Sequence, residues 1–228
     1  MNPHRVAEAQ TLLAHWRARP VLNQRFPLYG EYLQSLANAE RLNAVHKYLR
    51  PLLVELASAS HEKRLEFISE LCFAVDFSGK APGTSPVPGM PHELLEQIAL
   101  PTLLAQRLAQ QNDPYVHVWL AMLPYRRFIP NLPERRKLLE AAHQLAPNDT
   151  FIAERLADEG LNSIAFSCHH LPEGLLSSEH VVREEIDHVR RLLHLLPQKR
   201  GDAFAKQIDM YEQQVNDFTR TNRDKNEA

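Results

Sequence analysis

The chain has 228 residues, of which 44% are hydrophobic and 24% are charged, and its formal net charge is -2. This composition is typical of a soluble globular protein, and the near-neutral charge argues against a general nucleic-acid or membrane-surface binder. Two cysteines, Cys72 and Cys168, exclude a disulfide framework, and we predict a reducing, cytoplasmic location.

Seven glycines and few β-branched runs favour helix over sheet, and no apolar stretch approaches the length of a membrane span. The N-terminus has no apolar run that would indicate a signal peptide. We therefore predict an all-α fold of about eight helices, either an irregular bundle or a short α-α superhelix.

Apolar stripes place the helices of an N-terminal region, residues 1–77. The first stripe ends before Pro20, and residues 26–30 form a turn-rich connection. Pro51 is expected to kink or split a later helix, and Ser60 is expected to cap the one after it. After the first helix, three further helices are predicted in this region, and their apolar stripes cover residues 32–36, 42–56 and 65–75.

Residues 78–91 contain three glycines and four prolines, which neither helix nor strand tolerates, so this segment is the predicted linker. A second helical region is predicted over residues 92–219, with helices at 92–111, interrupted at Pro101, and at 115–128. Ser177 or Ser178 is expected to cap a later helix. The last helix covers about 202–219, and the polar tail 220–228 is predicted to be disordered.

Residues 133–160 predict two amphipathic helices joined by a tight turn. Pro133 suits the first turn of a helix, and Pro147 ends that helix because it disfavours helical geometry at the residue before it. Asn148 or Asp149 can then cap the next helix. The predicted core faces are Leu138, Leu139, Ala141, Ala142 and Leu145 in the first helix, and Ala153, Leu156, Ala157, Leu161, Ile164 and Ala165 in the second.

This order of signals resembles the second helix of a tetratricopeptide repeat followed by the first helix of the next. Ala142 precedes Pro147 by five positions, and the following helix carries the pair Leu156-Ala157. An upstream echo supports the resemblance, because residues 112–113 and 119–121 match 148–149 and 155–157 at an offset of thirty-six residues. The resemblance extends over about sixty residues and ends at Gly160.

The resemblance implies a helical-repeat interaction module, such as an adaptor, a secretion chaperone or a toxin-neutralising partner. In such a module the first helices of each pair line a concave groove. The residues predicted to contact a partner are Tyr115, Trp119, Tyr125, Arg126, Arg127, Arg136 and Arg155, and for Trp119 a core position is an equally good expectation.

Several of these residues belong to a basic cluster around one predicted turn. The cluster comprises Tyr125, Arg126, Arg127, Phe128, Arg135, Arg136 and Lys137. The simpler interpretation is a solvated face, because Arg136 and Glu140 form an i,i+4 ion pair. If the cluster has a binding role, an acidic protein segment fits better than nucleic acid, which would require an RNA or DNA motif that the chain lacks.

Two Glu-x-x-His steps suggest a metal-dependent alternative. Glu140 with His143, and Glu185 with His188, each place both side chains on one helix face, as in di-iron helical bundles. The twelve histidines make such spacings a frequent coincidence, and residues 115–128 contain no acid that would complete the set. We therefore predict no cofactor and lean towards a protein without catalytic activity.

The segment Cys168-His169-His170 suggests a thiolate activated by imidazole. Adjacent residues on a helix point in different directions, so we predict a buried, unreactive Cys168 at a helix end. Three hypotheses follow: an interaction module, a metal-dependent bundle enzyme, and a nucleic-acid-associated regulator acting through the basic cluster. We prefer the first; the partner and the oligomeric state are left open.

Overall fold

The computed structural model describes residues 3–74, 89–123 and 131–227. Every regular element within these ranges is a helix, which confirms the predicted all-α class. The helices are α1 (Pro3–Arg17), α2 (Pro20–Arg25), α3 (Pro27–Ala37), α4 (Arg41–Asn43, a π-helical stretch Ala44–Leu49, and Arg50–Ser58), α5 (His61–Ala74), α6 (His92–Leu94, a π-helical stretch Leu95–Ala99, and Leu100–Ala109), α7 (Pro114–Met122), α8 (Arg135–Leu145), α9 (Thr150–Ser167), α10 (Glu179–Leu192) with a 3-10 turn Leu193–Leu195, and α11 (Gln198–Glu227).

The chain forms two compact units, Met1–Arg135 and Arg136–Ala228. The predicted linker at 78–91 lies mostly outside the described residues, and helices α6 and α7 belong to the first unit. Helix α11 continues through residues 220–227, which the sequence predicts to be disordered. None of the helices within the described residues has the length and apolar character needed to cross a membrane.

Helix caps follow the sequence closely. Ser60, Asp149 and Ser178 accept hydrogen bonds from first-turn amides at 3.2, 3.0 and 3.5 Å, respectively. Asp113 caps α7 in the same way, accepting from the Tyr115 amide at 3.0 Å. A short polar side chain at these positions satisfies an amide that the helix itself leaves unpaired, which is why local sequence is enough to predict it.

The predicted turn at 26–30 is wrong, because α3 begins at Pro27 and contains Gly30. Pro27 occupies the first turn, where its missing amide hydrogen costs nothing. Gly30 serves close packing rather than a turn: a β-carbon there would lie 2.5 Å from Asn23 Oδ1 and 3.7 Å from Trp16 Cδ1.

An aromatic cluster forms the core of the first unit around Tyr29, which is fully buried. Trp16 and Phe67 meet the Tyr29 ring edge-on at centroid distances of 4.7 and 5.1 Å, an arrangement that aromatic quadrupoles favour. The Tyr29 hydroxyl donates to the carbonyl of Gly89 at 2.6 Å. This bond satisfies the one polar group that the ring carries into the core.

Helices α4 and α6 share an unusual geometry. Each contains a π-helical stretch that ends immediately before the residue preceding a proline, Pro51 in α4 and Pro101 in α6. A proline inside a helix cannot donate to the carbonyl four residues earlier and crowds it. The wider π turn relieves this crowding, so both helices continue without the predicted break.

Burial follows the same register in α4 and α6 at an offset of fifty residues, the separation of the two prolines. The matching buried positions are Ala44 and Leu94, Leu49 and Ala99, Leu52 and Thr102, Leu53 and Leu103, and Leu56 and Gln106. Helix α4 contacts α6, and α5 contacts α7, so each of these helices packs against the second helix after it in the chain.

The second unit is built around α9, α10 and α11, which all contact one another. Helix α10 is antiparallel to α11, because Arg183 bonds Asn216 while Arg190 bonds Asp209 and Glu212. The predicted core faces of α8 and α9 are largely buried. Leu145 is the clearest exception, at 40% exposure, because it lies in the last turn of α8.

Candidate functional site

A charged cluster joins α8 to α10 in the second unit, at the residues proposed as metal ligands. Arg136 Nε donates to Glu140 Oε1 at 2.7 Å, and Arg136 also pairs with Glu185. The Glu185 side chain is 10% exposed, whereas Arg136 and Glu140 are about one-third exposed, at 34% and 38%. The guanidinium of Arg136 therefore bridges the two carboxylates that a metal ion would otherwise bridge.

The two histidines of the same motifs lie nearby on α8 and α10. The Nδ1 atom of His143, the Nε2 atom of His188 and Oε1 of Glu185 are buried without a hydrogen-bond partner in the described structure. Within the described residues, no three His, Cys, Asp or Glu side chains are grouped so that they could hold a metal ion. The arrangement provides an ion-pair bridge between helices rather than a ligand set.

A lowered pKa at His188 predicts that the stability of the second unit depends on pH. Burial lowers the pKa of His188, and the positive charge of Arg136 lowers it further. At His188 the unfolded chain therefore binds more protons than the folded chain as the pH falls below about 6.5. We expect the contribution of His188 to the free energy of unfolding to be fully present above about pH 6.5 and to be lost as the pH falls below that value.

Urea denaturation between about pH 7.5 and pH 5 checks this expectation. The variant His188→Gln should show a shallower loss of stability on acidification than the wild type. His169→Gln, at an exposed position in the same unit, controls for the loss of an imidazole. An unchanged pH dependence in His188→Gln would contradict the assignment.

Two of the described residues that were predicted to contact a partner, Trp119 and Arg155, are largely buried. Trp119 is 1% exposed and packs against Phe73 and Tyr115, with ring centroids 4.5 and 5.7 Å away, so it lies in the core of the first unit. In the second unit the Arg155 side chain is 13% exposed and lies over the Phe151 ring at 4.8 Å. Its guanidinium also approaches Asp158 at 3.8 Å.

Within the predicted basic cluster, the structure describes Arg135, Arg136 and Lys137. Arg136 is engaged with Glu140 and Glu185, as described above. Tyr125, Arg126 and Arg127 lie outside the described residues, as does Phe128.

Cys168 is a buried residue at the C-terminal end of α9, as the sequence predicts. Its amide closes the helix by donating to the Ile164 carbonyl at 3.0 Å. Burial raises the pKa of the Cys168 thiol, and burial also raises the pKa of Cys72. A thiol reacts through its thiolate, so neither position has the environment of an activated nucleophile.

We expect iodoacetamide to alkylate Cys72 about a hundredfold or more slowly in the native protein than in urea, because this thiol is buried and protonated. Cys168 should also react more slowly than in urea but by a smaller factor, because it borders an open cleft. Mass spectrometry at timed intervals measures the two sites separately. Rapid modification of native Cys168 alone would contradict this and would revive the catalytic-cysteine interpretation.

A cleft of 710 Å³ opens beside Cys168, between the end of α9 and the C-terminal half of α11. One wall, the loop wall, is formed by His169, Leu171, Pro172 and Glu173. The loop wall is held by backbone hydrogen bonds within residues 167–176, including Leu176 N to Ser167 O at 2.9 Å. We call this feature the α9–α11 cleft.

The opposite wall, the helix wall, is one face of α11. Gln214, Asp217, Phe218 and Thr221 line it at spacings of three and four residues, which places them in one row along the helix. The row extends over about 10 Å, since each helical residue rises 1.5 Å. The α9–α11 cleft is thus an elongated groove with polar and apolar groups on both walls.

Sequence reasoning did not identify this cleft. The spacing of 214, 217, 218 and 221 is visible in the sequence, but it mixes one aromatic with three polar residues and so resembles an ordinary solvated helix face. The loop wall has no signal of its own, because its position depends on how residues 168–177 fold back onto α9.

Comparison with protein-family models, with curated protein sequences and with solved structures finds no match to this chain. The interpretation of its function therefore depends on the geometry described above.

Proposed function

We propose that this chain is a protein–protein interaction module without catalytic activity, built as a short array of tetratricopeptide-like helical hairpins. The observation that carries the proposal is the shared register of α4 and α6, whose buried positions and π-helical stretches correspond at an offset of fifty residues. This offset supports repeated helical hairpins, and the likeness to tetratricopeptide repeats rests on the shorter offset of thirty-six residues. Helices that repeat in this way stack on their neighbours and leave an extended surface for a partner.

A second correspondence supports the array. Asp113 and Asp149 each cap a helix, and the triplets 119–121 and 155–157 follow at the same distance from these caps. Leu120 and Leu156 are both buried, at 0% and 1% exposure. The thirty-six-residue offset found in the sequence therefore relates two helices with the same cap and the same buried position.

The array also carries exposed apolar side chains that a folded core does not require. Leu42 and Leu108, in α4 and α6, are 76% and 80% exposed. Single exposed leucines are common on any surface, so they add no partner chemistry by themselves. Of the arginines proposed to meet an acidic partner, Arg136 and Arg155 are engaged with carboxylates within the second unit.

Site-specific photo-crosslinking in native cells tests the proposal. A benzophenone side chain is introduced separately at Leu42, Leu108 and Gln214, which are exposed, and at Asp202 as a control position. We expect a light-dependent adduct of one defined mass from at least one of the first three positions, reduced by excess unlabelled chain. No adduct from any of the three would contradict the proposal.

Metal analysis of the purified protein provides an independent check. Stoichiometric iron, manganese or zinc that disappears in Glu185→Ala would overturn the proposal in favour of the metal-dependent alternative. We expect no stoichiometric metal, because Arg136 occupies the space between Glu140 and Glu185.

A further inference from the structure

The α9–α11 cleft combines apolar and acidic groups on both of its walls. Leu171 and Pro172 on the loop wall lie across the groove from Phe218 on the helix wall. Glu173 and Asp217 add one carboxylate to each wall. Among the described lining residues there is no lysine or arginine, and Glu173 and Asp217 are their acidic side chains.

The two carboxylates are available to an incoming cation. Glu173 makes no ion pair within the described part of the chain, and its side chain is exposed. Asp217 pairs with Arg220 at 3.1 Å, but these side chains are 49% and 74% exposed. Exposed pairs of this kind contribute at most about 1 kcal/mol, so a competing cation can replace Arg220 at little cost.

We infer that the α9–α11 cleft binds a short segment of a partner polypeptide that carries one arginine or lysine beside an apolar side chain. The basic group pairs with Glu173 and Asp217, and the apolar side chain packs between Leu171 and Phe218. The cleft volume lies within the range of about 300–1,000 Å³ that suits a ligand of a few residues. This inference rests on the proposed interaction function and names the partner chemistry at one site.

Defined peptide libraries test the inference with the full chain. One set of hexapeptides has arginine fixed beside leucine or phenylalanine with the other positions randomised, and the matched set has glutamate in place of arginine. Amide resonances of the 15N-labelled protein report binding at Gly174 and along residues 214–221. We expect the arginine set to shift these resonances, and the effect to weaken as salt is added.

Neutral variants identify the carboxylates. The double variant Glu173→Gln with Asp217→Asn removes both negative charges from the cleft. It should lower the affinity for the arginine-containing peptides about fivefold or more. Asp202→Asn, about 22 Å from Asp217 along α11, is the matched control and should leave affinity unchanged. Equal binding of the glutamate set, no shift with either set, or unchanged affinity in the double variant would each overturn the inference.

The two proposals fail separately. A partner that crosslinks at Leu42 or Leu108, while the peptide libraries leave the cleft resonances unmoved, preserves the interaction function and removes the cleft assignment. Binding of the arginine set at the cleft without any cellular adduct supports the cleft chemistry and removes the proposed function.

Discussion

Replacing Gly160 with alanine is expected to lower the free energy of unfolding of the second unit by about 1–3 kcal/mol. A β-carbon at this position would lie 2.4 Å from Val189 Cγ2 and 2.7 Å from Glu185 Oε1. Val189 is fully buried and β-branched, so its methyl group has no free rotamer to adopt. The clash therefore has to move α10 away from α9.

The helix propensity of alanine opposes this loss by up to about 1 kcal/mol, which the expected range already includes. Gly201→Ala is the matched control, because a β-carbon at Gly201 would meet its nearest atom, the Leu193 carbonyl oxygen, at an ordinary 3.4 Å. We expect Gly201→Ala to stabilise the protein by about 0.4–1 kcal/mol, through its effect on the unfolded chain.

Urea denaturation followed by circular dichroism measures both changes, and hydrogen exchange of the α9 and α10 amides assigns them to the second unit. If Gly160→Ala were as stable as Gly201→Ala, the close approach of α9 and α10 at this point would be wrong.

Removing Arg136 is expected to have the second large effect. Arg136→Ala should cost about 2 kcal/mol, because it leaves the buried Glu185 carboxylate without its counter-charge. This is below the cost of breaking a fully buried pair, since the Arg136 side chain is 34% exposed and partly solvated. The loss should loosen α8 from α10, the two helices that the bridge joins.

A double-mutant cycle separates this charge effect from simple loss of packing. Adding Glu185→Gln to Arg136→Ala removes the uncompensated carboxylate at nearly constant shape and should recover roughly half of the loss. Arg183→Ala removes an arginine whose pair with Glu179 is more exposed, and should cost less than about 1 kcal/mol. Additive effects of Arg136→Ala and Glu185→Gln would show that the bridge has no energetic role.

Local signals were predicted well because their causes are local. Ser60, Asp149 and Ser178 cap helices through bonds that reach only two or three residues along the chain. The buried faces of α1 and α9 follow from apolar spacing that a helix turns to one side. Residues 26–30 were mispredicted as a turn, since Gly30 lies within α3 and its lack of a β-carbon leaves room for the side chain of Asn23 in another helix.

The candidate site was harder to predict from the sequence because it depends on contacts between residues far apart in the chain. The Glu-x-x-His spacing correctly places Glu185 and His188 together on one helix. It cannot reveal that Arg136, forty-nine residues earlier in the chain, bridges Glu185 to Glu140. Trp119 was proposed for a groove, but its burial depends on Phe73 from another helix.

The sequence by itself determined that this chain is all-helical, where most helices begin, and which stripe of each helix turns inward, because these properties arise from interactions within a few residues. Only the tertiary structure decided what those stripes pack against. In that structure Arg136 pairs with Glu185, Gly160 packs closely against Val189, and residues 168–173 lie opposite α11. Such contacts join residues far apart in sequence, and their energies depend on distances of a few ångströms that no local pattern encodes.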